Sequence, residues 1–285
     1  MISGGAGPPA AACIALLALL APHVGCGPAT GPDAPAAPIA GGRSSAAAFD
    51  ALLRRNVRDG LVDYGSLKKD PGLASCLELF GEIDPARLPG RSERLAFWIN
   101  AYNLLAMKGV VDSYPVSSIR EIGVLGRFTF FRGLKFRAGQ RDCTLDTIMH
   151  KILRPQFHEP RVHFAVVSAS RGSPRIRSAA FHPDDLEDEL DAAARSFILD
   201  PSKVRFDGEQ GVLYLSPIFD WFGEDFDRAA GSRLEFIRRY LPQSEAGSMR
   251  SGAETVRYLD FDWRLNDSSP EPPGQAGRQH GSGPC

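Results

Sequence analysis

The sequence predicts an α+β fold, a single globular domain with a buried central helix packed on a small, mainly antiparallel sheet. Residues 92–112 carry apolar side chains around nearly the whole circumference of a helix, which is typical of a helix buried on all sides. Apolar runs at 204–206 and 212–215 flank Asp207-Gly208, a pair that favours a hairpin turn. Helical and strand-like runs are mixed along the rest of the chain, which indicates the α+β class.

Local patterns predict the other elements in chain order. Apolar residues at helical spacing predict a helix over 46–58, and Ser92 is the expected N-cap of the central helix. The remaining predicted elements are helices over 144–153, 186–197 and 234–240 and strands over 162–167 and 257–263.

The charge balance and the cysteines exclude several classes of function. The 285 residues include 33 basic and 34 acidic side chains, so no overall field attracts nucleic acid, and none is expected as a partner. The five cysteines show neither Cys-x-x-Cys spacing nor the density of a disulfide scaffold. His150, His158, His163 and His182 lack the spacing of a metal site, so we expect no metal and no cofactor.

The first 26 residues resemble an export signal. Residues 10–21 are almost entirely Ala, Leu and Ile, a run too short to span a bilayer. Val24-Gly25-Cys26 resembles the lipobox of bacterial lipoproteins, whose cysteine becomes lipidated, although His23 replaces the usual Leu and no Lys or Arg precedes Arg43. We expect an exported protein, either periplasmic or anchored in the membrane through Cys26. A simple cleaved signal and an Ala-rich leader are the alternatives.

Two biased segments delimit the folded domain. Residues 27–44 are rich in Pro, Ala and Gly, and residues 267–285 are mostly Ser, Pro, Gly and Gln, so both are expected to be disordered. The intervening residues 45–266, about 220 in number, fit one domain.

Six segments spread across residues 45–266 resemble one family. Their order and spacing are similar to those of the domain of unknown function 547, a resemblance that implies a fold unit and a set of typical residues but no reaction. The six segments are DGLVDY at 59–64, AFWINAYN at 96–103, LDTIMHKILR at 145–154, VHFAVVSAS at 162–170, LSPIFDWF at 215–222 and LDFDWRLN at 259–266.

Three departures from that family bear on chemistry. The resemblance implies cysteines where this chain has Ser168 and Ser173, in a Cys-Ala-Ser-x-x-Cys-Pro arrangement, and a Glu where it has Met149. A hydroxyl is far less acidic than a thiol, so Ser168 would need a stronger base than a cysteine would. The comparison therefore predicts a catalytically degenerate member of the family.

A strand-to-loop transition at 161–174 is the best candidate site, because such loops present side chains at a fixed position. Asp146 and His150 are one helical turn apart and are the candidate orienter and base for Ser168 as nucleophile, with backbone N–H groups around Gly172 as the oxyanion site. A strand over 162–167 excludes His163, because an odd offset points its side chain away from Ser168. The alternative is that Asp146 and His150 only stabilise the structure.

Further polar residues are candidate ligand contacts. Asn100 and Asn103 lie on an otherwise apolar helix, where they either line a pocket or anchor loop backbone. The loop side chains are candidates for binding a phosphate or carboxylate, with solvated surface side chains as the alternative. These loop residues are Ser170, Arg171, Ser173 and Arg175.

Two functions follow from these residues, and the sequence leaves open whether the protein is an enzyme. The first is an exported, envelope-tethered domain that binds a small molecule or an envelope protein without catalysis. The second is a hydrolase or acyl-transfer enzyme that uses Ser168 with His150. A thiol redox function is disfavoured because paired cysteines are absent.

Overall fold

The computed structural model describes residues 41–248 and 255–269. The predicted leader with Cys26, residues 27–40 of the predicted linker and residues 270–285 of the predicted tail lie outside these ranges. Within them, no helix is long and apolar enough to cross a membrane.

The centre of the structure is α4, Arg91–Ser113, and 16 of its 23 residues are buried. This confirms the predicted buried central helix, whose apolar residues face neighbours on every side. The predicted N-cap is wrong, because Gly90 occupies that position in an extended conformation and makes no side-chain cap hydrogen bond. Ser92 instead lies inside the first turn.

Three helices near the start of the chain pack around α4: α1 Gly41–Asn56, α2 Tyr64–Leu67 and α3 Pro71–Glu82. Residues 41–44, assigned to the linker from composition, form the first turn of α1. Asp70 caps α3 by accepting a hydrogen bond from the Gly72 N–H at 2.8 Å. The same carboxylate accepts two hydrogen bonds from Arg55 of α1, at 2.8 and 3.0 Å, and so ties α1 to α3.

The strands are short and confirm the α+β class. The predicted hairpin is formed by β5 and β6, which pair antiparallel with Val204 opposite Leu215, and β7 pairs parallel with β6. The strand predicted over 257–263 ends at Tyr258, after which residues 259–269 keep only isolated bridges, such as Ser170 to Leu265. The strands are β1 Val57–Arg58, β2 Leu61–Val62, β3 Phe136–Ala138, β4 Arg141–Cys143, β5 Val204–Asp207, β6 Val212–Leu215 and β7 Thr255–Tyr258.

The helix predicted over 144–153 is present but contains a π-helical segment. It runs as α5 Leu145–Thr147, a π turn at Ile148–Leu153 and α6 Arg154–Phe157, and Thr144 caps its start. A π turn widens the helix and is often found at functional sites.

The strand predicted over 162–167 is wrong, because α7, Val162–Ala165, is a short helix. All four of its residues are buried, and a short run of buried apolar residues cannot be assigned to helix or strand from its pattern alone. Val162 and Ala165 belong to the core around α4, whereas Phe164 belongs to a second core.

The second core is built from the later helices and packs Phe164 against Phe197, Phe219 and Phe226. The predicted helices over 186–197 and 234–240 correspond to α8 and α11. The helices of this region are α8 Leu186–Ile198, α9 Ile218–Trp221, α10 Gly223–Ala230, α11 Arg233–Arg238 and α12 Gln243–Ser248.

Candidate functional site

A pocket of about 850 Å³ lies beside α7 and the π turn, and aromatic and aliphatic side chains form most of its wall. This size and lining are typical of small-molecule sites. The pocket contains the three residues proposed as a catalytic set from the sequence, and it also contains Ser173 and a residue that the sequence had excluded. These five are Asp146, His150, Ser168, Ser173 and His163.

His163 projects from α7 into the wall of this pocket, and its side chain is fully buried. Its ring lies flat on the ring of Phe222, with 3.9 Å between centroids and 16° between planes. Its Nε2 atom is 2.8 Å from Oδ2 of Asp225, in the first turn of α10. The exclusion of His163 therefore fails, because it assumed a strand where the chain is helical.

Hydrogen bonds from two neighbouring side chains, Arg154 and His163, hold Asp225 as a carboxylate. Arg154 donates to both carboxylate oxygens, at 2.6 and 3.0 Å. Burial alone would raise the pKa of Asp225, but the hydrogen bonds from His163 and Arg154 outweigh it and hold that pKa well below its usual range. An ionised carboxylate can only accept hydrogen bonds, so Nε2 of His163 carries the proton and donates to Asp225.

The other ring nitrogen of His163 is the chemically interesting one. Burial lowers the pKa of His163 more than Asp225 raises it, so the ring is neutral at pH near 7 and its Nδ1 atom carries a lone pair. That Nδ1 atom and the Oγ atom of Ser168 are both buried and have no hydrogen-bond partner among the described residues. Each such atom costs about 1–3 kcal/mol. Two of them border the same pocket.

The predicted set of Asp146, His150 and Ser168 shares this pocket but is not linked by hydrogen bonds. The Oδ1 atom of Asp146 accepts from Arg132 at 2.8 Å and lies 4.0 Å from His150 Nε2. Arg154 approaches His150 Nδ1 at 3.2 Å, and since a guanidinium only donates, the Nδ1 lone pair is engaged there. Burial lowers the pKa of His150, against the effect of Asp146. The catalytic role of His150 stays a prediction.

The oxyanion site expected around Gly172 is wrong. The N–H groups of Arg171 and Gly172 donate to the carbonyls of Arg264 and Asp262, at 2.8 and 2.7 Å, and Ser173 N–H donates to Ser170. A Cβ atom at Gly172 would lie 2.8 Å from the Asp262 nitrogen, so glycine permits this close approach of two backbones. These N–H groups therefore bond to backbone carbonyls and do not form an oxyanion site.

Asn100 and Asn103 do not line the pocket, and both anchor loop backbone, which was the alternative considered from the sequence. Asn100 exchanges two hydrogen bonds with the backbone of Phe181, at 2.8 and 2.9 Å. Asn103 donates to the Ala165 carbonyl and accepts from the Val167 N–H, both at 2.9 Å. Asn100 therefore anchors the backbone at Phe181, and Asn103 anchors the chain on either side of Val166.

Most of the remaining candidate ligand residues lie outside the pocket. Ser170 is buried and donates to the Ser168 carbonyl at 3.2 Å, and Arg171 donates to the Leu265 carbonyl at 3.3 Å. The Arg175 side chain is 68% exposed and borders a separate cavity of about 230 Å³. Of the predicted ligand residues, the pocket contains Ser173 alone.

Sequence reasoning missed His163, Phe222 and Asp225. The available signal was chemical, because a histidine in an apolar run needs a partner for its ring, and an acidic residue follows Trp221-Phe222. Within residues 41–248 and 255–269, no group of three or more His, Cys, Asp or Glu side chains is arranged to hold a metal ion.

Comparison with known proteins gives a family match over part of the chain and no function. No curated protein and no solved structure matches the chain. Residues 85–198, which include α4, His150, His163 and Ser168 but not Asp225, match the model of the family described as Protein of unknown function, DUF547, and this match supports the domain family indicated by the motifs.

Proposed function

We propose that the domain binds a small, mainly apolar molecule in the 850 Å³ pocket, through one polar group that meets Ser168 and His163. The observation that carries this proposal is the pair of buried, unpartnered atoms, Ser168 Oγ and His163 Nδ1. The Nδ1 lone pair can only accept, whereas the Ser168 hydroxyl can donate. A ligand hydroxyl or amide satisfies both atoms, because it donates and accepts at once.

Displacement of an apolar fluorescent dye, 1-N-phenylnaphthylamine, tests this proposal. The competitors are 1-decanol and its methyl ether, which differ in the O–H donor that His163 Nδ1 requires. Decanol is expected to displace the dye about tenfold better than the ether, because the ether leaves Nδ1 unpartnered. Absence of dye binding, or equal displacement by both compounds, contradicts the proposal.

Two variants refine the test. Ser168→Ala removes a pocket hydroxyl and is expected to weaken decanol binding about tenfold without changing the affinity for the dye. Ser173→Ala is the matched control, because that hydroxyl borders the same pocket but already donates to the Ser170 carbonyl. An equal loss of decanol affinity in both variants contradicts the assigned role of Ser168.

A second candidate function is hydrolysis or acyl transfer by Ser168, favoured by the hydrogen bond from His163 to Asp225. In this version His163 replaces His150 as the base: Oγ attacks a carbonyl carbon and its proton passes to Nδ1, which then protonates the leaving group. Fluorophosphonate labelling that disappears in both Ser168→Ala and His163→Gln supports it. An unlabelled parent protein, with dye binding intact, favours binding alone.

We also propose that the protein is exported and tethered through a lipid on Cys26, the residue of the lipobox-like Val24-Gly25-Cys26. Palmitate incorporation and sensitivity to globomycin, both lost in Cys26→Ala, are the expected results. An exported Cys26→Ser protein that fractionates like the parent contradicts the tether.

A further inference from the structure

Exposed apolar side chains gather at the mouth of the pocket. Among the described residues, six large hydrophobic side chains are exposed, and Leu125, Phe128 and Trp221 of these also line the pocket. Val124, next to Leu125, is 99% exposed. We call Val124, Leu125, Phe128 and Trp221 the apolar rim. Four of the six exposed large hydrophobic side chains therefore belong to this one surface beside the pocket.

The rim has a protruding tip. Val124 and Leu125 stand between Gly123 and Gly126, which have positive φ angles of 67° and 54°. A Cβ atom at Gly126 would lie 2.4 Å from the Arg120 carbonyl oxygen, so the chain turns sharply there. Two aliphatic residues on a narrow turn present little area to a protein partner, whose interfaces cover about 800 Å² a side, but they suit insertion among lipid chains.

Three arginines contact aromatic side chains that line the pocket. The guanidinium groups of Arg120 and Arg127 lie 5.0 and 5.4 Å from the ring centre of Trp263, a pocket-lining residue. Arg132 lies 5.5 Å from the ring of Phe128 and also pairs with Asp146. The pocket lining contains two arginines, Arg127 and Arg132, and one carboxylate, Asp146. The mouth is therefore locally cationic and apolar.

We infer that the apolar rim docks on the surface of an anionic lipid bilayer and that the pocket takes its ligand, an amphiphile, from that surface. The aliphatic tip enters the acyl region, and the arginines meet lipid phosphates. Trp221 and Trp263 suit the boundary between them, where aromatic side chains with a polar edge are favoured. The source of the ligand rests on the proposed binding function, whereas the docking itself does not.

Co-sedimentation with vesicles tests the docking, using the full chain with Cys26→Ala so that no lipid anchor contributes. The parent is expected to bind vesicles that contain phosphatidylglycerol at least about tenfold more tightly than vesicles of phosphatidylcholine alone, and less tightly in high salt. Val124→Asp with Leu125→Asp is expected to reduce binding at least about tenfold. Arg127→Gln is expected to reduce it about fivefold.

Leu199→Asp is the matched control, because Leu199 is 44% exposed and does not line the pocket. It is expected to bind vesicles like the parent. Binding by the rim variant that equals the parent's overturns the docking, since the leader or another surface then carries the affinity. Absence of vesicle binding by the parent overturns it as well, in favour of a protein partner or none.

Tryptophan fluorescence gives a second measurement. Brominated lipids are expected to quench the tryptophan fluorescence of the parent protein. The Trp221→Phe variant is expected to show much less quenching. Unchanged quenching in this variant contradicts the assigned orientation of the rim on the membrane. The dye assay in solution separates the two proposals. Intact dye binding without vesicle binding refutes the docking and leaves the pocket, whereas vesicle binding without dye binding refutes the pocket and leaves the docking.

Discussion

The imidazole of His163 stacks on the ring of Phe222, with 3.9 Å between the ring centroids, and its Nε2 atom lies 2.8 Å from the carboxylate of Asp225. The aromatic face fixes the plane of the imidazole, and the carboxylate fixes which nitrogen carries the proton. The remaining nitrogen is thereby held as an acceptor beside the pocket. Because burial opposes protonation of this ring, the free energy of unfolding depends on pH.

Stability is expected to fall as the pH falls from about 7 to about 5. The pKa of His163 is lowered from 6.5 by burial, despite Asp225, so below 6.5 the unfolded chain binds a proton that the folded chain does not. His150, whose pKa is also lowered, acts in the same direction. Asp225 does not contribute in this window, because its stabilisation is lost only as the pH falls below 3.8. Urea unfolding at several pH values measures the slope.

His163→Gln is expected to flatten this dependence, since it removes the buried titrating group. His158→Asn is the matched control: His158 is exposed, and asparagine tolerates its φ angle of 48°. A slope that is the same in His163→Gln and in the parent would show that His163 is not the group responsible.

Asp225→Asn is expected to destabilise the protein by about 3 kcal/mol, because it leaves Arg154 and His163 without their shared carboxylate in a mainly buried setting. The free energy of unfolding in urea measures this loss. Asp184→Asn provides the comparison, since its pair with Arg43 is exposed, at 62% and 66% of the two side chains. Exposed pairs contribute about 0–1 kcal/mol, so a loss as large as that of Asp225→Asn would contradict the argument.

The sequence predicts the parts of this fold that depend on local pattern. The all-round apolar surface of residues 92–112 and the Asp207-Gly208 turn each identify one element without reference to the rest of the chain. The helix at Val162–Ala165 could not be predicted in this way, because a short buried apolar run has the same pattern in a helix and in a strand.

The same ambiguity decides how much of the site was predictable. Ser168, His150 and Asp146, proposed as one set from the sequence, all line the same pocket, and their catalytic role stays a prediction. The partnership of His163 with Asp225 joins residues 62 positions apart and depends on how α7 meets α10. Spacing along the chain carries no information about such a contact, so the sequence analysis wrongly excluded His163 from the site.

Asn103→Ala is expected to cost about 2 kcal/mol of unfolding free energy, because the Ala165 carbonyl and the Val167 N–H then lose their partners in the core. Hydrogen exchange at the Val167 amide is expected to speed up, as this N–H is protected by the Asn103 side chain. Asn100→Ala is the control, because its partner is Phe181, in another loop. Equal acceleration at Val167 in both variants would indicate general loosening rather than a local anchor.

Gly172→Ala is expected to destabilise the protein by about 1–3 kcal/mol, because its Cβ atom would lie 2.8 Å from the Asp262 nitrogen and 2.9 Å from the Asp262 oxygen. Relief of this contact must move the segment at 261–266 away from the loop, and Trp263 of that segment lines the pocket. Weaker binding of the fluorescent dye should therefore accompany the lower midpoint of urea unfolding. Gly211→Ala is the comparison for stability: its φ of 60° strains alanine, but no atom lies within 4 Å of the added Cβ. A Gly172→Ala protein that loses stability while binding dye like the parent would show that the segment at 261–266 does not shape the pocket.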